Sequence, residues 1–176
     1  MLINLQEIPE NGRAYDVSQN DEDVAAQIKD LIGETPFRFD FHLTPAGQAF
    51  DLKGEIKVSI PLVCSRCANE FSQPVDKKIR ELLMQEENPS AKGLAGDPEM
   101  GLSTEVTLLK SFKLDVGEIL HEQIALLEPS QPLCSPTCKG LCFTCGADLN
   151  EGSCGCTEQK TEKPSAFSVL KNLKLN

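Results

Sequence analysis

The chain has 176 residues, 40% hydrophobic and 25% charged, with eight cysteines and a formal net charge of -10. It is long enough to bury a real core, but its acidity disfavours nonspecific attraction to nucleic acid or an anionic membrane. No apolar run approaches the ~18 residues that span a bilayer. The start, MLINLQEIPENGR, lacks the basic flank and apolar stretch of a secretory signal, so the expectation is a cytoplasmic protein with reduced thiols.

In chain order, INLQEI predicts a first strand, and SQNDEDVAAQIKDLIG a short helix. Ser18, Asn20 or Asp21 would cap that helix, Gly33 would stop it, and Val24, Ile28, Leu31 and Ile32 would be its buried stripe. PFRFDFHLT alternates, with Phe37, Phe39 and Phe41 on one face and Arg38, Asp40 and His42 on the other, before a turn at TPAGQ. The clearest periodicity follows. Phe50, Leu52, Ile56, Val58, Ile60 and Leu62 share one parity, while Asp51, Lys53, Glu55, Lys57 and Ser59 share the other. This is a long, half-buried strand with Gly54 as a candidate bulge. Its parity puts Cys64 on the apolar side at the strand end.

CSRCANE then turns the chain into a returning strand over 71–84, although Phe71, Val75, Ile79 and Leu83 also have helical spacing. Residues 86–102, rich in Pro, Gly and acids, predict a mobile loop. A short strand is expected around Val106. LDVGEILHEQIALLEP predicts a helix capped by Asp115, with Glu118 at the capping-box position, Val116, Ile119, Leu120, Ile124 and Leu127 buried, and Pro129 as terminator. The tail after Pro164 predicts an amphipathic helix with Phe167, Leu170 and Leu173 on one side and a basic Lys171 and Lys174.

The predicted fold class is α+β: a mainly antiparallel sheet with two or three helices and a cysteine-rich zinc-knuckle module. The body covers 1–133, the cysteine-rich module 134–156, and a linker with the tail helix 157–176.

Six of the eight cysteines fall between Cys134 and Cys156. Cys142 and Cys145, followed by Gly146, form a knuckle that aims two sulfurs at one metal. Cys154 and Cys156 are close enough in sequence to double back at little entropic cost. One site of Cys142, Cys145, Cys154 and Cys156 leaves a second of Cys64, Cys67, Cys134 and Cys138. The rival sorting places Cys134, Cys138, Cys142 and Cys145 on one metal. All-thiolate tetrahedral sets suit zinc, with iron second, so two structural zinc ions are expected. A redox role for CSRC or CFTC is the competing reading of the pairs.

Little other chemistry stands out. His42 and His121 read as surface residues, His121 with a minor prospect as a spare ligand. Glu81, Glu86 and Glu87 read as solvated. No nucleophile–base set, phosphate loop or small-molecule site is legible, which argues against an enzyme.

IPLVCSRCANEF, LDVGEILHEQIALLEP, LCSPTCKGLCFTCGADLNEGSCGC and KPSAFSVLKNLK, in this order, resemble the bacterial YceD-like family, the large ribosomal RNA subunit accumulation proteins. The resemblance runs over about residues 50–175. It implies a cytoplasmic, non-enzymatic factor in synthesis, processing or stability of large-subunit ribosomal RNA, with metal chemistry at the eight cysteines. The implied partner is a ribosomal protein or the large-subunit RNA precursor. RNA affinity depends on neutralising phosphates, so direct contact would need a local patch such as Lys53, Lys57, Lys77, Lys78 and Arg80, or the tail lysines. The alternatives are a thiol redox or metal-transfer protein, or a zinc module that recruits transcription partners.

Overall fold

A computed structural model describes residues 1–86 and 105–156. Its elements are β1 (Leu2–Asn4), β2 (Arg13–Ser18), α1 (Glu22–Ile32), β3 (Phe37–Ala46), β4 (Ala49–Val63), β5 (Glu70–Gln85), β6 (Glu105–Leu109), β7 (Lys113–Asp115) and α2 (Val116–Ala125). A single turn of 3-10 helix, Leu5–Glu7, follows β1. Five strands form one sheet in the order β2-β3-β4-β5-β6, and β1 pairs with β7 apart from it. Every pairing is antiparallel except β5 with β6. The fold is therefore α+β with a mainly antiparallel sheet. No described helix is long and apolar enough to cross a membrane.

Alternation builds the core. Register sets Phe37, Phe39, Phe41 and Leu43 beside Val58, Ile56, Gly54 and Leu52, so one face of β3 and β4 is continuously apolar. Val24, Ile28 and Ile32 of α1 and Ile119, Leu120 and Ile124 of α2 join these residues in a single buried cluster. Gly33 ends α1 at φ 64, and the Asp115 carboxylate caps α2 by accepting the Gly117 N–H at 3.0 Å. The helices meet through Gly117, where a Cβ would stand 2.5 Å from the Gln27 side chain.

Several expectations need correction. The first strand stops at Asn4, because the chain coils into the 3-10 turn. β2 and β7 are strands the periodicity does not announce: β7 is three residues long, and only Val17 of β2 is fully buried. Asp21 precedes α1, but its carboxylate accepts the Ser18 N–H at 2.9 Å instead of capping the helix. The second helix ends at Ala125, short of Leu127.

Gly54 is no bulge. Its pairing with Phe41 and Ile79 is in register, and a Cβ there would lie 2.7 Å from the Phe39 ring. Glu81, read as solvated, is 3% exposed. It accepts from Gln123 Nε2 at 2.7 Å and from Thr107 Oγ1 at 2.8 Å. Glu86 is exposed, whereas Glu87 lies outside the described residues. Most of the 86–102 loop and the whole 157–176 linker and tail, with Lys171 and Lys174, also lie outside them.

Candidate metal centres

β4 and β5 form a long hairpin whose far end is CSRCANE, and the segment after α2 returns to that end. The Ser65 N–H donates to Pro132 O at 2.8 Å, the Leu141 N–H to Arg66 O at 3.0 Å, and Arg66 Nη1 to Cys138 O at 2.8 Å. These bonds lay residues 132–141 over the hairpin tip. Gly140, at φ 75, permits the approach, since a Cβ would stand 2.9 Å from Arg66 O. The cysteine-rich segment is thus built onto the body.

The two knuckles share one backbone design. Cys64 N–H donates to Asn69 O at 2.9 Å, and Cys142 N–H to Ala147 O at 2.8 Å. Four residues on from each first cysteine, an N–H returns to that cysteine's carbonyl: Ala68 to Cys64 at 2.9 Å and Gly146 to Cys142 at 2.8 Å. Both returning residues have positive φ, 58 at Ala68 and 74 at Gly146. Glycine adopts that conformation freely, whereas an alanine does so under strain.

The sulfurs gather into two groups of four, Cys64, Cys67, Cys134 and Cys138, and Cys142, Cys145, Cys154 and Cys156, each within 4.8 Å of one another. The rival grouping of Cys134, Cys138, Cys142 and Cys145 is not the one adopted. In the first group Cys64 and Cys138 Sγ are 3.8 Å apart, and Cys67 and Cys134 Sγ 3.6 Å. A tetrahedral zinc with sulfurs at about 2.3 Å sets them about 3.8 Å apart. A disulfide would need about 2.0 Å. The spacing therefore fits a four-sulfur metal site, and either group can hold an ion.

The electrostatics agree. Backbone N–H groups, that of Cys134 foremost, hold the Cys64 thiol down to about 6, while the Cys67 thiol and then burial push Cys134 up to about 12. In the second group the Cys145 N–H leads in holding Cys142 to about 6, and the Cys145 thiol leads in pushing Cys156 to about 12. Crowded thiolates repel one another, so the donors favour ionisation of one sulfur and the neighbouring sulfurs oppose another. A dication at the centre would ease that conflict by attracting all four sulfurs at once and offsetting half of their charge.

The groups differ in shelter. Cys64, Cys67 and Cys138 are buried and only Cys134 is exposed, whereas in the second group Cys142 alone is buried. Outside the ligands, Asn150 Nδ2 donates to Cys138 Sγ at 3.4 Å, and its Oδ1 accepts the Lys139 N–H at 2.8 Å. Asn69 Nδ2 reaches Asp148 Oδ2 at 3.0 Å, tying the first knuckle to the second. Sequence reasoning missed Asn69, Asn150 and Arg66. CSRCANE and GADLN held them in view, but nothing local shows that they face each other.

His121 is no ligand. It bonds Asp30 of α1 at 3.0 Å and holds that carboxyl below its ordinary value.

The basic patch divides. Lys53, Lys57, Lys78 and Arg80 are exposed on the sheet face away from the helices, but Lys77 lies on the helix side, with Nζ 3.3 Å from Gln123 Oε1. On the outer face Arg80 grips Asp51 at 2.9 and 3.1 Å, Lys53 meets Asp51 at 2.9 Å, and Lys57 meets Glu55 at 2.8 Å. A shallow trough of about 880 Å³ crosses this face between a row containing His42, Lys53 and Arg80 and one containing Asp16, Asp40, Glu55 and Lys78. Its cations are interleaved with acids.

Residues 52–174 match the family model described as large ribosomal RNA subunit accumulation protein YceD. An Arabidopsis thaliana protein named large ribosomal RNA subunit accumulation protein YCED homolog 1, chloroplastic, is 25% identical over 170 aligned positions that cover 86% of this chain and 52% of the relative. A Zea mays protein of the same name is 28% identical over 160 aligned positions that cover 79% of this chain and 54% of the relative. The chain thus spans about half the length of these relatives. No solved structure matches it.

Proposed function

The chain belongs to the YceD family, and from that premise we propose that it is a non-enzymatic, cytoplasmic factor for accumulation of large-subunit ribosomal RNA, with one structural zinc ion in each cysteine group. The observation that carries the reading is the pair of four-sulfur groups, the first spaced like the corners of a tetrahedral zinc. Four protein sulfurs fill a tetrahedral ion and leave no corner for water or substrate, so such an ion holds structure together and does not activate water. Cys64, Cys67, Cys134 and Cys138 would hold the zinc that pins the module to the β4–β5 hairpin. Cys142, Cys145, Cys154 and Cys156 would hold the one that closes the distal knuckle. The partner is a ribosomal protein or the large-subunit RNA precursor. The balanced charges of the outer sheet face favour the protein, because phosphate binding rests on unneutralised cations.

Two measurements test this. Elemental analysis of the purified protein should return two zinc ions per chain; a single ion, or none, removes the metal assignment. Deleting the gene should lower mature large-subunit RNA relative to small-subunit RNA. The wild-type chain should restore it, and the double substitution Cys64→Ser, Cys67→Ser should not. An unchanged RNA ratio after deletion would refute the assigned role.

A further inference from the structure

Six large apolar side chains are exposed among the described residues, and three of them adjoin a cysteine of the metal groups in sequence. Val63 precedes Cys64 and is 54% exposed; Leu141 and Phe143 flank Cys142 at 43% and 93%. Single exposed apolar residues are ordinary on a protein surface. Three set beside metal-ligand positions are different, because each ligand's backbone is held by knuckle hydrogen bonds and cannot turn its neighbour inward. Leu141 is also tied across to the first knuckle through its N–H to Arg66 O. Phe143 lies within CFTC, between two cysteines of the second group, and is almost fully exposed.

We propose that this end of the molecule is a docking surface for a basic polypeptide segment, anchored on Phe143. Charge selects the occupant. Between Cys134 and Cys156 the chain has one cation, Lys139, against Asp148 and Glu151, and Arg66 of the first knuckle, which donates to Cys138 O, adds a second, so the negative field comes from the thiolates. Each four-thiolate site carries two more negative charges than its zinc supplies positive, and in that respect the inference rests on the metal assignment above. An exposed phenyl ring in a negative field suits a lysine or arginine, which gains from the face of the ring and from the surrounding charge together. The same field repels phosphate. A rigid aromatic anchor loses little conformational entropy on binding, which is why such residues dominate interface energetics.

The test uses the full-length, zinc-loaded protein and three probes: RNA-free basic proteins extracted from large ribosomal subunits, a single-stranded RNA oligonucleotide, and the protein itself. The wild type should bind the basic proteins, more weakly as salt rises. Phe143→Ala should bind them about tenfold or more less tightly, with both zinc ions and the circular dichroism spectrum unchanged. Leu141→Ser should weaken binding in the same direction, and Phe143→Tyr should retain it.

Equal binding by wild type and Phe143→Ala overturns the proposal, as does failure of the wild type to bind any of the basic proteins. Phe143-dependent binding of the RNA alone, or Phe143-dependent self-association alone, assigns the surface to another occupant and likewise refutes it. The outcomes separate from those of the functional reading. If gene deletion lowers large-subunit RNA but no basic protein binds, docking fails and the role stands. If deletion leaves that RNA unchanged, the role fails whatever binds.

Discussion

Glu81 shows how one residue can invert a sequence reading. Phe71, Val75, Ile79 and Leu83 have helical spacing only because Gln73, Lys77 and Glu81, on the same face of β5, interrupt the apolar alternation. Glu81 remains buried because Gln123 and Thr107 donate to its two oxygens. Replacing it with Ala would leave those donors in the interior without it, at a cost of about 1–3 kcal/mol. Glu86→Ala, at an exposed site, should stay within about 0.5 kcal/mol. Urea unfolding of both variants measures the contrast, and equal losses would remove the structural role of Glu81. Ala68 makes the opposite case. It adopts the positive φ that glycine supplies at the matching position of the second knuckle, where an L-residue is strained by about 1–2 kcal/mol. Ala68→Gly should therefore stabilise the folded protein by up to about 1 kcal/mol, seen as a higher melting temperature with zinc content unchanged. A lower melting temperature would show that the alanine side chain contributes more than its backbone strain costs.

At the scale of elements, the β3–β4–β5 register decides which side chains can meet. Gly54 sits where the row Tyr15, Phe41, Gly54, Ile79 crosses the sheet. Tyr15 and Phe41 stack there at 5.0 Å, and Phe39 and Phe41 at 4.6 Å. A methyl group at Gly54 would push into Phe39 and the Phe41 Cβ. Overpacking of this kind costs about 1–3 kcal/mol, and Gly54→Ala should show it in equilibrium unfolding. A neutral or stabilising result would mean that the rings yield freely. The same register separates the basic residues. Lys53, Lys57, Lys78 and Arg80 share the outer face, while Lys77, of opposite parity, turns to Gln123 beneath α2.

Across the whole molecule, the two cysteine groups occupy different levels of the architecture. The first joins residues some 70 positions apart and sits at the junction of hairpin and module, whereas the second closes within the module itself. Losing the first should therefore do more damage. Cys64→Ser with Cys67→Ser should remove one zinc, lower the melting temperature and open residues 134–156 to protease, because structural zinc contributes folding energy directly. Cys142→Ser with Cys145→Ser should remove one zinc and leave the melting of the sheet and helices nearly unchanged. Elemental analysis, thermal melting and limited proteolysis separate the two, and identical behaviour of the pairs would contradict this hierarchy.

The sequence by itself determined what local geometry governs. Period-two alternation placed β3, β4 and their buried faces, Gly33 and Asp115 marked helix limits, and the short CFTC knuckle drew in Cys154 and Cys156. These features depend on neighbours a few residues away, and the physics that sets them is written in consecutive letters. Tertiary structure decided the rest. It ended the rivalry between two groupings of Cys134 and Cys138 by returning the chain after α2 to the hairpin tip. It made strands of Arg13–Ser18 and Lys113–Asp115, whose patterns are too short or too thinly apolar to declare themselves. It also buried Glu81 against partners 26 and 42 residues away. A charged side chain becomes a core residue only when distant donors converge on it, and the convergence of distant segments is set by the packed sheet and helices together.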